Sequence, residues 1–589
     1  MQQEEGQEEF QEEDVLDCFL AAQNLESNDE ISLAIEYYVE IVQFFNSAKY
    51  KNKRLKYEHE QNKYDDPPSI LILSCALNSL AGIYMDQEQY DVAMGYLLKS
   101  VCYWNENLMS LLNMGNIERE HRSLSKAIEY YTRIVQLSKT NNHFNKNAAS
   151  LDKEEAIDDN DWENIWIYGP HKQCVERAYY MSALCLHQIG NYNEAVKYLK
   201  PFNVKYRVHP NVWIEACKKQ ASDKIDYVSS STSIEHRSRQ QISDELECVK
   251  MFHNAIPNKL KLDLQKMFSP TSLYWNGTNY HERGYYSFWY DLKKRPSNTI
   301  EILIQYLLPI IQKQVPNETF CGGEWWVHSR PEGKNLGHQL HLDTEENTLE
   351  IKKKIVHPRV SSVVYLSPSP NGGCTVVFDQ TLESNYNGKP ENHVSAYVCK
   401  PSDGGFLIFD GRKIHGVLPS NPLSDDDMNS NNNFTDNNNN NNNSASKRRK
   451  ISPSFMKKTD QKQRLTLMIG FWTDDVVKIG KRISLGPCGP VPPVSTRSVQ
   501  WPTILRSPYY TEFTKAERDK DFENGINNMK EMPVNRIYPA WENINDGKSS
   551  DSGNLNNSAK LEIPEVIDQR FFLHDMEEFK VHLLQRALS

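Results

Sequence analysis

Small residues recur at intervals of 34 residues in the first third of this chain, and this spacing restricts its fold more than any other feature. Ala93 and Ala127 lie 34 residues apart, and Ala195 follows 68 residues after Ala127, which is twice that interval. The surrounding apolar residues have the spacing of amphipathic helices. A helical unit of this length cannot bury its own apolar face, so successive units must stack against one another. Each copy adds further small and aromatic residues: Ala81, Tyr84 and Tyr90; Gly115 and Tyr131; Ala183, Gly190 and Tyr192; and, in a weaker fourth copy, Ala22, Ala34 and Tyr38.

This pattern resembles the tetratricopeptide repeat, whose period is also 34 residues. The resemblance implies an all-α domain of stacked helix pairs over residues 14–203, in which small residues let paired helices approach and aromatic residues fill the gaps. The basic stretch 49–64 and the acidic stretch 149–164 are predicted to be insertions between repeats. An irregular helical bundle with a chance spacing is the alternative.

A series of short apolar runs follows between residues 320 and 475, and each has the composition of a β-strand. The runs are rich in β-branched and aromatic residues, and several begin at Gly-containing turns. They are Cys321–Arg330, Val360–Leu366, Asn371–Phe378, Gly404–Val417 and Gln463–Trp472.

A His-x-Asp pair, His341 and Asp343, lies within this β-rich part. Residues two apart on a strand point to the same face, so an imidazole and a carboxylate can reach one metal ion. A further His, His415, ends the run Gly404–Val417. Two His and one carboxylate form a facial triad that binds Fe(II) and leaves coordination positions open. A lone His-x-Asp is a weak signal, because a surface strand also carries such polar pairs.

The order of these segments resembles that of the Fe(II)/2-oxoglutarate-dependent dioxygenase superfamily, especially its prolyl-hydroxylase-like branch. The resemblance rests on the His-x-Asp pair, a Gly-Gly-x-Thr segment, a Phe-Asp-Gly-Arg-x-x-His-Gly-Val segment and a late strand with Arg464 and Thr466 on one face. It implies a double-stranded β-helix, or jelly roll, with flanking helices, in which His341, Asp343 and His415 bind iron. Arg464 and Thr466 would bind the far carboxylate of 2-oxoglutarate, because a guanidinium meets a carboxylate through two hydrogen bonds and a hydroxyl adds another.

Other polar residues near these motifs have two interpretations. Tyr365 stands where some relatives carry a Tyr that hydrogen-bonds 2-oxoglutarate, and a core Tyr with a satisfied hydroxyl is the equal alternative. His338 precedes His341 by three residues, so strand alternation predicts that the two face opposite sides. His328 could face the cavity, although the spacing favours the triad. Two further residues are predicted to be structural or surface histidines: His357 and His393.

One spacing departs from the family pattern, in which the Arg follows the distal His closely. Here 49 positions separate His415 from Arg464. The intervening residues 421–462 include Asn429–Asn443, which are mostly Asn and cannot bury a core. Surface insertions cost little loop-closure entropy, so we predict an exposed insertion within the domain. The basic run Lys447–Lys450 is either a nuclear import signal or a solubilising charge cluster.

The remaining segments complete a multidomain chain. Residues 204–247 are polar and are predicted to be a linker. Residues 248–495 would form the jelly-roll domain, with amphipathic helices around 259–267 and 298–314. Residues 496–589 form a C-terminal extension that we expect to pack on the catalytic domain.

Composition gives information on the partners and the cellular location of the chain. The net charge of −11 and the pI near 5.9 argue against a nucleic-acid-binding surface. The 11 Cys form no Cys-x-x-Cys pair and indicate reduced thiols. The amino-terminal residues lack the apolar segment of a signal peptide, and no run is long and apolar enough to cross a membrane. These features predict a cytoplasmic location and leave the nucleus open.

The resemblance implies an oxygenase that uses Fe(II), 2-oxoglutarate and O₂ to hydroxylate a protein side chain or another substrate, with release of succinate and CO₂. Ascorbate is left open as a further cofactor. The repeats predict a protein or peptide partner, because solenoids present extended concave surfaces. The alternative is a repeat-type interaction protein with an inactive jelly roll, and the presence of all three ligands and of Arg464 argues against it. No motif identifies the substrate.

Overall fold

The chain divides into two compact units, one formed mainly by residues 1–203 and one that begins at Val204. The computed structural model describes most of both units, and the two predicted repeat insertions, the Asn-rich stretch and His393 lie outside the described residues. Within that part of the chain, no helix is long and apolar enough to cross a membrane. The described residues are 14–47, 69–140, 171–218, 249–276, 287–331, 337–345, 355–367, 373–384, 394–419, 463–473, 487–488, 501–544, 571–574 and 579.

The first unit is all-α, as predicted, and its described residues form four antiparallel helix pairs. Each pair packs against the next along the chain, so the apolar face of one pair is covered by its neighbour. The helices are α1 Asp14–Ser27, α2 Ile31–Asn46, α3 Ser69–Asp86, α4 Tyr90–Tyr103, α5 Leu108–Glu120, α6 Leu124–Thr140, α7 His171–Gln188 and α8 Tyr192–Leu199.

The same three-residue turn joins the helices of every pair. Its middle residue has a positive φ, which ends the first helix and reverses the chain. Only one of the four residues is a glycine, for which this conformation carries no penalty. The four residues are Asp29 (φ 64°), Glu88 (φ 60°), Arg122 (φ 60°) and Gly190 (φ 83°).

Small residues stand at fixed distances from these turns, where paired helices touch. Seven residues before the turn residue comes an Ala or Gly, and five residues after it comes an Ala. Gly115 is required at its position, because a Cβ there would lie 2.5 Å from Cε1 of Tyr131. The predicted repeat packing is thereby confirmed. The buried residues are Ala22, Ala81, Gly115 and Ala183 before the turns, and Ala34, Ala93, Ala127 and Ala195 after them.

The second unit contains two large antiparallel sheets. The strands β4 to β11 are divided between the two sheets. The larger sheet contains β4, β6, β9 and β11, and the smaller one contains β5, β7, β8 and β10. This distribution is the predicted jelly roll. The strands are β2 Lys250–His253, β3 Ser287–Asp291, β4 Phe320–Pro331, β5 His338–His341, β6 Val360–Ser367, β7 Thr375–Phe378, β8 Ala396–Cys399, β9 Gly405–Asp410, β10 His415–Val417, β11 Gln463–Thr473, β12 Pro487–Cys488, β13 Lys530–Met532 and β14 Asn535–Ile537.

The two faces of the larger sheet have different neighbours. On β11, Leu465, Leu467 and Ile469 belong to an apolar core that includes helices α10 (Asn258–Met267) and α12 (Thr299–Gln314). The opposite face of β6 and β9 packs against β7 and β8 of the smaller sheet. Arg464 and Thr466 alternate with the apolar residues of β11 and therefore point between the two sheets.

The first residues of the predicted linker are folded. Residues 206–208 form β1, which pairs with β15 (Trp541–Asn543) and β16 (Phe572–Leu573). The following helix α9, Pro210–Cys217, buries Trp213 against Phe571 with ring centroids 5.6 Å apart. The polar residues that follow this short apolar stretch dominate the composition of the whole segment, which explains why composition alone indicates a linker.

Four more helices complete the second unit, three of four residues and one of 14 residues. They are α11 Leu273–Asn276, α13 Trp501–Ile504, α14 Pro508–Thr511 and α15 Lys515–Asn528, and the last two pack against α10.

Candidate metal centre

Pairing of β5 with β10 brings His341, Asp343 and His415 together. His415 lies opposite His341 in the antiparallel register, although the two are 74 positions apart in the chain. One ligand atom from each of the three residues lies within 4.8 Å of the others. The Nε2 atoms of His415 and His341 lie 3.6 Å and 3.9 Å from Oδ1 of Asp343. Among the described residues, this is the one such cluster of His, Cys, Asp and Glu side chains.

Backbone carbonyls fix the orientation of both imidazoles. Nδ1 of His415 lies 3.1 Å from the carbonyl of Lys413, and Nδ1 of His341 lies 2.9 Å from that of Gln339. A carbonyl can only accept, so Nδ1 carries the proton and Nε2 presents its lone pair to the cluster. Two imidazole nitrogens and one carboxylate oxygen form a donor set that suits a divalent transition metal.

Asp343 is held at its carboxylate and at its backbone. Ser361 Oγ on β6 donates a 2.6 Å hydrogen bond to Oδ2 of Asp343. His357 Nδ1 donates a 2.7 Å bond to the Asp343 carbonyl. These two bonds give the carboxylate a defined direction.

A charged turn lies next to His415, the third residue of the cluster. Asp410 accepts hydrogen bonds from the backbone N–H and the guanidinium of Arg412, and Arg359 adds an ion pair at 3.2 Å. Burial raises the pKa of Asp410, but the bonds and charges of the two arginines more than offset this and leave the pKa below its ordinary value. Lys413, whose carbonyl contacts His415, belongs to the same turn.

Arg464 lies between the sheets and is almost fully buried, with 7% of its surface exposed. Its Nη1 donates a 2.6 Å hydrogen bond to the carbonyl of Gly373, and among the described residues no carboxylate forms an ion pair with it. Burial lowers the pKa of the guanidinium. A Cβ at Gly373 would lie 1.9 Å from the carbonyl oxygen of Leu418, so only glycine fits. A buried cation is costly unless an anion pairs with it, so this end of the site suits an anionic ligand.

Tyr365 is fully buried, with its hydroxyl donating a 2.8 Å bond to Oγ1 of Thr375. Burial raises the pKa of its phenol well above the ordinary value. Thr375 and Thr466 line the cavity, whereas Tyr365 is not among the residues that do. Of the two interpretations of Tyr365, the structure therefore favours a core Tyr with a satisfied hydroxyl.

One cavity contains both the metal-type cluster and Arg464. Its wall also includes His328 and His338, whose rings lie 5.9 Å apart, and the ring of His338 lies 4.6 Å from that of His341. The prediction that His338 faces away from His341 is wrong. Between the pairs His341–His415 and His338–Val417, two residues of β5 oppose one residue of β10, and this bulge breaks the strict alternation of sides.

Comparison with known proteins gives a family match in the first unit. Residues 176–200 match the model of the tetratricopeptide repeat, and these residues lie in α7 and α8. The first unit therefore contains a tetratricopeptide repeat. No curated protein matches the chain.

Solved structures of oxygenases resemble the second unit. A prolyl-4-hydroxylase from Pseudomonas putida is 15% identical, with 38% of this chain and 92% of that chain covered and a TM-score of 0.22. A member of the 2OG-Fe(II) oxygenase family from Burkholderia pseudomallei is 10% identical, with 30% and 56% covered and a TM-score of 0.16. HygX from Streptomyces hygroscopicus, with nickel and 2-oxoglutarate bound, is 12% identical, with 38% and 83% covered and a TM-score of 0.21.

Proposed function

We propose that the second unit is an Fe(II)- and 2-oxoglutarate-dependent oxygenase. The observation that carries this proposal is the shared cavity of the His341, Asp343 and His415 cluster and the buried Arg464. A ligand with a metal-binding group at one end and a carboxylate at the other would satisfy both features. 2-Oxoglutarate, with its keto acid and its distant carboxylate, is such a ligand.

The proposed role of His341, Asp343 and His415 is to hold Fe(II), which when bound with 2-oxoglutarate supplies the oxidation of a C–H bond by O₂, with succinate and CO₂ as co-products. The backbone carbonyls that contact the two imidazoles favour the neutral tautomer in which Nε2 presents its lone pair to the metal. The bonds from Ser361 and His357 hold Asp343 in place.

Arg464 and Thr466 would bind the far carboxylate through charge-assisted hydrogen bonds. Tyr365 acts through Thr375 in this proposal. Because the Tyr365 hydroxyl donates to Oγ1 of Thr375, the hydrogen of Thr375 can point toward the ligand. Apolar residues complete the wall and limit the entry of water: Val363, Phe409 and Met468.

An anaerobic titration of the purified protein with Fe(II) and then 2-oxoglutarate tests this function. We expect a visible metal-to-cosubstrate charge-transfer band that appears only when both are present. Absence of the band, with Fe(II) bound, would leave the alternative of a metal-binding jelly roll that does not use 2-oxoglutarate. Succinate formation with and without ascorbate then tests turnover and the need for this further cofactor, and bound 2-oxoglutarate without succinate would indicate an inactive site.

We propose further that residues 14–203 bind a protein, either the substrate or a partner. The tetratricopeptide match at residues 176–200 supports this, because such solenoids present extended surfaces for polypeptide segments. Polypeptides captured by the full-length chain from a lysate should cross-link to helices α1–α8. Cross-links confined to residues after 203 would contradict this role.

We propose a cytoplasmic location, with nuclear entry dependent on the basic run Lys447–Lys450. A fluorescent fusion of the full chain tests this. If replacement of the four basic residues by Ala leaves the distribution unchanged, the run is only a charge cluster.

A further inference from the structure

The two carboxylate oxygens of Asp343 have different surroundings. Oδ1 faces the Nε2 atoms of both His415 and His341, at 3.6 Å and 3.9 Å. Oδ2 accepts the 2.6 Å hydrogen bond from Ser361. The two oxygens therefore differ in their protein partners.

We infer that Ser361 is a positioning residue that makes Asp343 a one-oxygen metal ligand. A hydroxyl that donates to a carboxylate forms a short, charge-assisted bond, which holds the donor oxygen and the carboxylate plane in one orientation. With Oδ2 held by Ser361, Oδ1 alone is directed at the metal. This inference rests on the proposed function, because it concerns the same cluster.

The consequence is a larger number of open coordination positions. A carboxylate that binds through both oxygens occupies two positions, whereas one that binds through a single oxygen occupies one. A triad in which each residue gives one donor atom leaves the space that a chelating cosubstrate and O₂ require. Ser361 would therefore support cosubstrate binding without contacting the cosubstrate.

The position of Ser361 in the fold suits this role. β6 lies between β11 and β9 in the middle of the larger sheet, and Ser361 pairs with Gly470 on one side and Phe409 on the other. Its backbone is thus fixed on both sides, and only 1% of its surface is exposed. A donor on a paired central strand holds its acceptor more accurately than a donor on a loop does.

The neighbouring residue provides a matched control. Ser362 is also a buried serine of β6, with 2% exposure, but its hydroxyl donates a 2.8 Å bond to the carbonyl of Ile469. Replacement of either serine by Ala removes one buried hydroxyl and one hydrogen bond from the same strand. Only Ser361→Ala removes the bond to Asp343.

The experiment is an anaerobic titration of the full-length variants with Co(II), followed by visible absorption and calorimetry. We expect Ser361→Ala to bind Co(II) roughly 10–100-fold more weakly than wild type, the range typical for loss of a residue that supports a metal ligand. The intensity of the Co(II) bands should also change, because they report coordination number and geometry. Ser362 also lines the cavity, but its hydroxyl bonds the Ile469 carbonyl and not Asp343, so Ser362→Ala should keep the wild-type affinity and spectrum.

A second pair of variants separates the hydroxyl from packing, and it also serves if Ser361→Ala does not fold. Ser361→Thr keeps the hydroxyl, whereas Ser361→Val has the same shape without it. We expect the Thr variant to recover the wild-type spectrum and the Val variant to lack it. Equal spectra for the Thr and Val variants, or equal losses for Ser361→Ala and Ser362→Ala, would overturn the assignment of Ser361. Failure of the wild-type protein itself to bind Co(II) would instead overturn the proposed metal site and, with it, this inference.

Discussion

The first unit (the helical unit) is determined by residues close together in the sequence, whereas the site of the second unit (the sheet unit) combines residues far apart in the sequence. In the helical unit, a turn residue and two small residues determine how each helix pair forms, and all three lie within a short stretch such as Ala81–Ala93. In the sheet unit, the candidate site joins residues from β5, β10 and β11, so that 121 positions separate Asp343 from Arg464. A local rule repeated four times can be recognised by its period, whereas a site assembled from distant strands can be recognised only through the order of its motifs.

This difference has an experimental consequence. Substitutions at the repeated positions should change the stability of the helical unit and leave ligand binding in the sheet unit unchanged. Substitutions in the site should do the reverse. Each of the following substitutions tests whether the two units respond separately.

Asp343→Ala is expected to have the largest effect, because it removes the one carboxylate of the metal cluster. Fe(II) affinity measured by anaerobic titration should fall by more than the roughly 10–100-fold that loss of a supporting residue costs. The free energy of unfolding of the helical unit should not change. Asp403→Ala removes an exposed carboxylate that pairs with Lys261 and serves as the control. Unchanged iron stoichiometry and affinity in Asp343→Ala would contradict the assignment.

Arg464→Leu should weaken the binding of 2-oxoglutarate. It should not lower the stability of the apoprotein. Loss of charge-assisted bonds worth about 1.5–3 kcal/mol corresponds to a decrease in affinity of roughly 10–100-fold. Among the described residues Arg464 has no carboxylate partner, so removal of this buried cation should leave the apoprotein as stable as wild type or make it more stable. Calorimetry and thermal unfolding measure the two effects, with the surface variant Arg506→Leu as control. Wild-type 2-oxoglutarate affinity in Arg464→Leu would remove Arg464 from the site.

Gly115→Ala should destabilise the helical unit by about 1–3 kcal/mol, the usual cost of overpacking, because the new Cβ would meet the ring of Tyr131. Gly95→Ala is the matched control. It also lies in a helix, but its added Cβ meets nothing within 4 Å, so it should stabilise the unit by up to about 1 kcal/mol. Denaturant unfolding followed by circular dichroism measures both. A loss of Co(II) affinity in Gly115→Ala would show that the two units are coupled.

The smallest expected effect concerns the turns. Glu88 has a φ of 60°, a conformation that Gly adopts more easily than Glu. Glu88→Gly should stabilise the unit by a few tenths of a kcal/mol, up to ~1 kcal/mol, after the entropy of the unfolded chain is counted. Gly190→Ala, at the equivalent turn with φ 83°, should destabilise by a similar amount. Equal shifts of the same sign in both variants would contradict the equivalence of the turns.

The sequence predicts a larger share of the fold than of the site. The 34-residue period identifies the helix pairs, and the alternation on β11 identifies Arg464 and Thr466 as residues of one face. The sequence does not identify Ser361, because a serine in an apolar strand has the same local pattern whether it bonds the Asp343 carboxylate or, like Ser362, a neighbouring carbonyl. The position of His338 depends on an irregular register between two strands, and strict alternation therefore gives the wrong side.

The position of Tyr365 outside the cavity lining has a similar cause. Its position in the motif order is compatible with contact to a ligand, but the side chain that reaches the cavity belongs to Thr375, one strand away. The folded start of the predicted linker was hidden for another reason, since its three-residue strand pairs with residues more than 300 positions later in the chain. Only tertiary structure contains such information.

The burial of Arg464 beside a single carbonyl has a consequence for the lifetime of the protein in a cell. A dicarboxylate that pairs with this cation binds the folded chain and not the unfolded chain, so each increase in its concentration shifts the population toward the folded form. At a concentration of about 100 times the dissociation constant, the shift amounts to ~2.7 kcal/mol. Because proteases degrade the transiently unfolded fraction, the abundance of the protein would then follow the supply of the proposed dicarboxylate ligand, even without the proposed polypeptide partner.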